Sequence, residues 1–193
     1  MRIAVFGGSF NPPHVGHQMA ALWVLETAGV DELWFVPALV HPFDKALAPF
    51  EDRFRMCELA AAALGARARV SDVEARLGGA SVTVRTIETL MAANPGATFS
   101  LVIGTDLVAE SSTWFRAEDL HRLVPFIVVG RQGRSAPDGD TKRDGHPAPD
   151  IPDVSSTAIR AALGEGRPVD DWVSRRVLDY ILERRLYTTA QAP

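Results

Sequence analysis

The sequence predicts an α/β fold, a doubly wound parallel sheet of about five to six strands with helices on both faces, and three observations predict it. Short apolar runs at residues 2–6, 32–37, 98–103 and 125–129 alternate with longer stretches whose apolar residues recur at helical spacing. Most positions of these runs are apolar, as in strands of a parallel sheet covered on both faces. Gly, Asn, Asp and Pro stand at most junctions between the two kinds of segment. Right-handed crossovers then align the strand ends, and any site they build, along one edge of the sheet.

In order, residues 2–6 form the first strand. Gly7 and Gly8 follow as a turn, and a helix carries the chain on from His17. Gly29 and Asp31 punctuate before the second strand at 32–37. A loop from 38 to 49 holds His41, Asp44 and Lys45. Residues 50–64 read as a helix with Phe54, Cys57 and Ala61 on one side, and residues 69–73 as a short strand. Gly78-Gly79 leads into a helix over 81–91 with Ser81 as its expected N-cap. The fourth strand, 98–103, ends at Gly104-Thr105-Asp106. A short amphipathic segment follows at 116–123, then the fifth strand at 125–129. From 131 to 150, Gly, Pro, Asp, Arg and Lys dominate, which reads as a mobile surface loop. Helices at 156–163 and 169–186 close the chain. The second directs Trp172, Val173, Val177, Tyr180 and Ile181 inward and leaves its arginines and glutamates solvated.

Composition narrows the function. A chain of 193 residues with 47% hydrophobic content suits one domain, 1–193, with a real core. Its C-terminal helical part spans about 155–187. The single cysteine, Cys57, excludes a disulfide scaffold and suits a reducing cytoplasm. No apolar run reaches the roughly 20 residues that span a bilayer, and the opening strand lacks a signal-peptide pattern. A net charge of −4 speaks against a general nucleic-acid surface. An anionic ligand must therefore be met by local donors.

Such donors gather in the opening turn, Gly7-Gly8-Ser9-Phe10-Asn11-Pro12-Pro13-His14-Val15-Gly16-His17. Glycines between a strand and a helix let backbone N–H groups approach an anion, and the helix N-terminus adds its positive dipole end. His14 and His17, three apart, face one side of the first helical turn. The stretch matches neither G-x-G-x-x-G nor a P-loop, and without H-E-x-x-H or further cysteines a zinc site is disfavoured. The residues alone leave a helix cap with incidental histidines as the rival reading.

The whole string resembles the G-G-[ST]-F-[DN]-P-x-H-x-G-H signature of the nucleotidyltransferase superfamily. Ser155-Ser156-Thr157-Ala158-Ile159-Arg160 matches its second element, [ST]-[ST]-T-x-[IL]-R. Over residues 1–187 the chain is similar to the bacterial nicotinate-nucleotide adenylyltransferase family. Val36-Pro37, Ile103-Gly104-Thr105-Asp106, Thr113-Trp114 and the closing Tyr180-Ile181 and Leu186-Tyr187 also match. That resemblance implies joining AMP from ATP to nicotinate mononucleotide, giving deamido-NAD and pyrophosphate in NAD biosynthesis. It implies that His14, His17 and Arg160 are catalytic. It places ATP against Gly7, Gly8, Ser9, Phe10, Gly16, Gly104, Asp106, Ser155, Ser156 and Thr157. Lys45, Ser81, Thr83 and Trp114 would meet the acceptor. Mg²⁺ is expected to arrive on ATP phosphate oxygens rather than in a protein cage.

Two departures concern the acceptor. Where the family carries P-P-H-K, this chain has His41-Pro42-Phe43-Asp44-Lys45, and where it carries S-Y-T, this chain has Ser81-Val82-Thr83. Nicotinate versus nicotinamide as the acceptor ring therefore stays open. So do another phosphorylated acceptor such as phosphopantetheine and a non-catalytic nucleotide-binding regulator on the same fold. Whether copies of the chain associate into a homo-oligomer is also open.

Overall fold

The computed structural model describes residues 1–40, 47–130, 151–152 and 154–188. Lys45, His41 and Asp44, and the 131–150 loop, lie outside these. Five strands, β1 (Arg2–Gly8), β2 (Glu32–Pro37), β3 (Ala68–Val70), β4 (Thr98–Gly104) and β5 (Phe126–Val129), form one sheet in the order β3-β2-β1-β4-β5. All neighbours are parallel. The order reverses direction at β1 and β4, where an α/β sheet opens a crevice at its carboxyl edge.

Successive β1 residues serve opposite faces. Ala4 packs with Ala20, Ala21 and Val24 of α1 (Val15–Thr27) and with Cys57 and Ala61 of α2 (Phe50–Ala62). Ile3 and Val5 pack with Val84, Ile87 and Leu90 of α4 (Thr83–Ala93) and Leu120 of α6 (Ala117–Leu123). This is why the strand reads as unbroken apolar sequence. A third core lies away from the sheet: Met56 and Ala60 on the outer side of α2 meet Ile159 and Ala162 of α7 (Ser156–Gly164) and Val177 and Ile181 of α8 (Arg175–Glu183). Among the described residues, no helix is long and apolar enough to cross a membrane.

The elements differ from the sequence reading in four places. Gly7 and Gly8 belong to β1, paired in register with Val36 and Pro37, so the turn begins only at Ser9. The expected strand at 69–73 stops at Val70, and Val73 opens a short helix, α3 (Val73–Leu77). Ser81 does not cap α4, whose N-cap position is Val82. The Ser81 hydroxyl instead accepts the Leu39 N–H at 3.0 Å. The expected helix at 169–186 is a turn followed by α8, because the Trp172 carbonyl accepts the Val15 N–H at 2.9 Å and is thereby diverted from a continuing helical ladder. A four-residue helix, α5 (Thr105–Val108), and a 3₁₀ turn (Glu110–Thr113) also follow β4. Both are too short to leave a periodic trace.

Candidate active site

The turn that leaves β1 is fastened by residues from the far end of the chain. Arg160 Nη1 donates to the Asn11 carbonyl at 2.8 Å and Nη2 to Thr157 Oγ1 at 3.3 Å. The Ser156 hydroxyl donates to the Pro12 carbonyl at 2.8 Å, and the Tyr187 hydroxyl to Asn11 Oδ1 at 2.8 Å. Asn11 Oδ1 also accepts the Ala48 N–H at 3.1 Å. Burial pushes the Tyr187 phenol well above its ordinary range, so it stays a donor. Thus the H-x-G-H turn and the S-S-T-x-I-R helix start, about 145 residues apart in sequence, meet at one place.

Within the turn, His14 occupies the N-cap position of α1 and His17 its third residue. Their rings lie 3.8 Å apart, inclined by 33°. The His14 backbone N–H donates to His17 Nδ1 at 3.2 Å. A backbone N–H can only donate, so a neutral His17 ring carries its proton on Nε2, which is then a donor. Gly16 is required here: a Cβ would stand 3.1 Å from the His14 ring and 3.4 Å from Ile151. His17 is half-buried, whereas His14 is only 3% exposed. Phe10 is expected to offer its backbone along the nucleotide, and its side chain turns into the core. Its ring is 1% exposed, packed edge-on to Phe6, Phe35 and His17, so only its backbone is left to face a ligand. Ser155 likewise caps α7, accepting the Ala158 N–H at 3.2 Å.

On the other side of the β1 end lies a cavity of about 450 Å³ between β1 and β4. Gly7, Gly8 and Ser9 form one wall, and Ser81, Val82 and Thr83 at the start of α4 another. Trp114 and Phe115 lie opposite. A Cβ on Gly7 would meet nothing within 4 Å, so the backbone is open to a close approach there. Three predicted acceptor residues, Ser81, Thr83 and Trp114, converge here. Trp114 is half-buried against the α4 core while still lining the cavity. Asp106 sits in the first turn of α5 with its carboxylate folded back against Gly104, next to the cavity residue Leu107.

Sequence reasoning missed three residues here. Arg53 is 1% exposed and donates to four backbone carbonyls. It shares the inward stripe of α2 with Cys57, and a charge on an apolar stripe was the available signal. Burial lowers its pKa. Glu74 lines the cavity and accepts a short hydrogen bond from the Thr86 hydroxyl. Phe115 is 59% exposed at the cavity, with the Arg85 guanidinium 5.8 Å from its ring centre. Nothing in their sequence context marks Glu74 or Phe115.

A family model described as cytidylyltransferase-like matches residues 5–162. An Anaeromyxobacter dehalogenans protein named "Probable nicotinate-nucleotide adenylyltransferase" is 50% identical over 188 residues, covering 96% of each chain. A Myxococcus xanthus protein of the same name is 36% identical over 193 residues, covering 100% of this chain and 98% of its own. The fold is similar to that of Plasmodium falciparum nicotinic acid mononucleotide adenylyltransferase complexed with NaAD, with a TM-score of 0.80, 23% identity and coverage of 96% and 97%.

Proposed function

The chain belongs to the nicotinate-nucleotide adenylyltransferase family, within the cytidylyltransferase-like group, and on that premise we propose that it transfers AMP from ATP to nicotinate mononucleotide, releasing pyrophosphate, as a step of NAD biosynthesis. A single observation carries the reading. A donor-rich turn clamped by Arg160 and Ser156 stands beside a mononucleotide-sized cavity, with the exposed glycine backbone of β1 between them.

In this reading the ATP triphosphate lies along Ser9 and the turn. The acceptor's pyridine ring enters the cavity beside Trp114. An acceptor phosphate oxygen attacks the α-phosphorus in line, the bond to the β-phosphate oxygen breaks, and pyrophosphate leaves with the electron pair. No protein nucleophile is needed, so positioning and charge stabilisation supply the rate. The Nε2–H of His17 donates to phosphate oxygen, His14 backs it through ring contact, and Arg160 with Thr157 meets the leaving phosphates. The amides at the start of α4 and the Thr83 hydroxyl face the acceptor's carboxylate. Among the described residues, no three His, Cys, Asp or Glu side chains gather into a set that could hold a metal ion. Mg²⁺ enters this proposal as the counterion of ATP, and no step is assigned to a protein-bound ion. Buried, unpaired Cys57 fits a reducing cytoplasm as the proposed location.

Pyrophosphate release with ATP, Mg²⁺ and nicotinate or nicotinamide mononucleotide tests the proposal. The expected result is release with the nicotinate form and a kcat/KM at least about tenfold lower with the nicotinamide form, since a helix N-terminus favours an anion. Preference for the amide would overturn the acceptor assignment. ATP binding without release for any acceptor would favour a regulator.

A further inference from the structure

The buried guanidinium of Arg53 bridges the two halves of the site. We propose that Arg53 is a positioning residue for the transfer reaction, holding the acceptor-side segment 38–40 in register with the β1 turn that faces ATP. The inference rests on the adenylyltransferase reading. Nη1 donates to the Ser9 carbonyl at 3.0 Å and the Ala38 carbonyl at 2.7 Å. Nη2 donates to the Leu39 carbonyl at 3.2 Å, and Nε to the Ala48 carbonyl at 2.8 Å. One rigid, planar fork thus fixes the exit of β1, the exit of β2 and the approach to α2 relative to one another. The charge is met by carbonyl dipoles; among the described residues no carboxylate pairs with it.

The link continues into the cavity. Leu39 N–H donates to Ser81 Oγ at 3.0 Å, and Ser81 N–H donates to the Val40 carbonyl at 3.4 Å. Ser81 and Ala38 both line the cavity. A hydrogen-bonded path therefore runs from Ser9 through Arg53 and Leu39 to the start of α4.

The two ends of the path depend on Arg53 unequally. The β1 turn has separate fastenings from Ser156, Arg160, Tyr187 and the Trp172 carbonyl. Among the described residues, segment 38–40 is otherwise held by the Ala38 N–H to the Gly8 carbonyl, at 2.9 Å, and by Ser81. Loss of the fork consequently loosens the acceptor side first. An arginine that merely holds the fold would change how much enzyme is active and leave both KM values in place.

The test is steady-state pyrophosphate release by the full chain and by Arg53→Lys and Arg53→Gln, with ATP, Mg²⁺ and nicotinate mononucleotide, alongside amide hydrogen exchange. The expected result is a KM for the mononucleotide raised about tenfold and a KM for ATP changed less than about twofold. Exchange should quicken across residues 38–40 and stay slow across residues 10–15. A fall in kcat with both KM values unchanged, an equal rise in both, or loss of folding in both variants would overturn the inference. A wild-type chain that releases no pyrophosphate would instead overturn the adenylyltransferase reading, and the exchange pattern would still report on Arg53 separately.

Discussion

The two sides of the β1 end are held by different physics. The turn from Ser9 to His17 is a polar construction. Carbonyls, hydroxyls, a guanidinium and two imidazoles stand within hydrogen-bond distance, supplied by residues as far apart as Asn11 and Tyr187. The cavity beside β4 is mostly apolar, walled by Val36, Leu101, Ile103, Ile87 and Trp114, with Ser81, Thr83 and Glu74 among its polar points. Directional bonds fix geometry to a fraction of an ångström, which suits charge stabilisation in a transition state. Apolar walls give affinity with looser geometry, which suits recognition of a ring. The difference teaches that damage to the two sides should appear in different kinetic constants.

The sharpest way to break that contrast is His17→Ala. It removes the Nε2 donor, and kcat is expected to fall by about 10² or more while the circular-dichroism spectrum is kept. Near-wild-type turnover would take His17 out of the mechanism. Gly16→Ala pushes a methyl against the His14 ring and is expected to lower kcat about tenfold while the KM for the mononucleotide holds, since misplaced groups cost rate before they cost recognition. Initial rates across both substrates would show it. On the apolar side, Trp114→Ala is expected to raise the mononucleotide KM about fivefold and leave the ATP KM unchanged. It should also lower the melting temperature, since half the ring belongs to the α4 core. Equal shifts in both KM values would return Trp114 to the core alone. Tyr187→Phe is the mildest change. It removes one donor to Asn11 Oδ1, worth about 1 kcal/mol, and the remaining fastenings should limit its effect to a two- to threefold rise in the ATP KM. A larger effect would mean that the fastenings act as a unit.

Much of this was legible along the chain, and each success has a local cause. The buried parallel strands announced themselves by apolar runs, and the turn after β1 by glycines, prolines and paired histidines in one short stretch. Residues that failed to announce themselves act at a distance. Arg53 is a charge on the apolar stripe of α2, but what it holds shows only once its side chain is seen among carbonyls from three separate segments. Ser81 has the composition of a helix cap, but the exit of β2 takes up its hydroxyl. Phe10 sits inside a ligand-binding motif, yet its ring belongs to the core because Gly8 leaves room for it: a Cβ there would stand 3.1 Å from that ring.

By itself the sequence determined the sheet class, the presence of a polar turn between the first strand and helix, and the residue types in it, because periodicity and backbone permissiveness are properties of neighbouring residues. Tertiary structure alone decided that Arg160, Ser156 and Tyr187 close on Asn11 and Pro12, and that Arg53 ties the exits of β1 and β2 together. These contacts join residues 14 to 176 positions apart. Hydrogen bonds of that span leave no periodic mark on a chain and come into being only when the sheet and its flanking helices have packed.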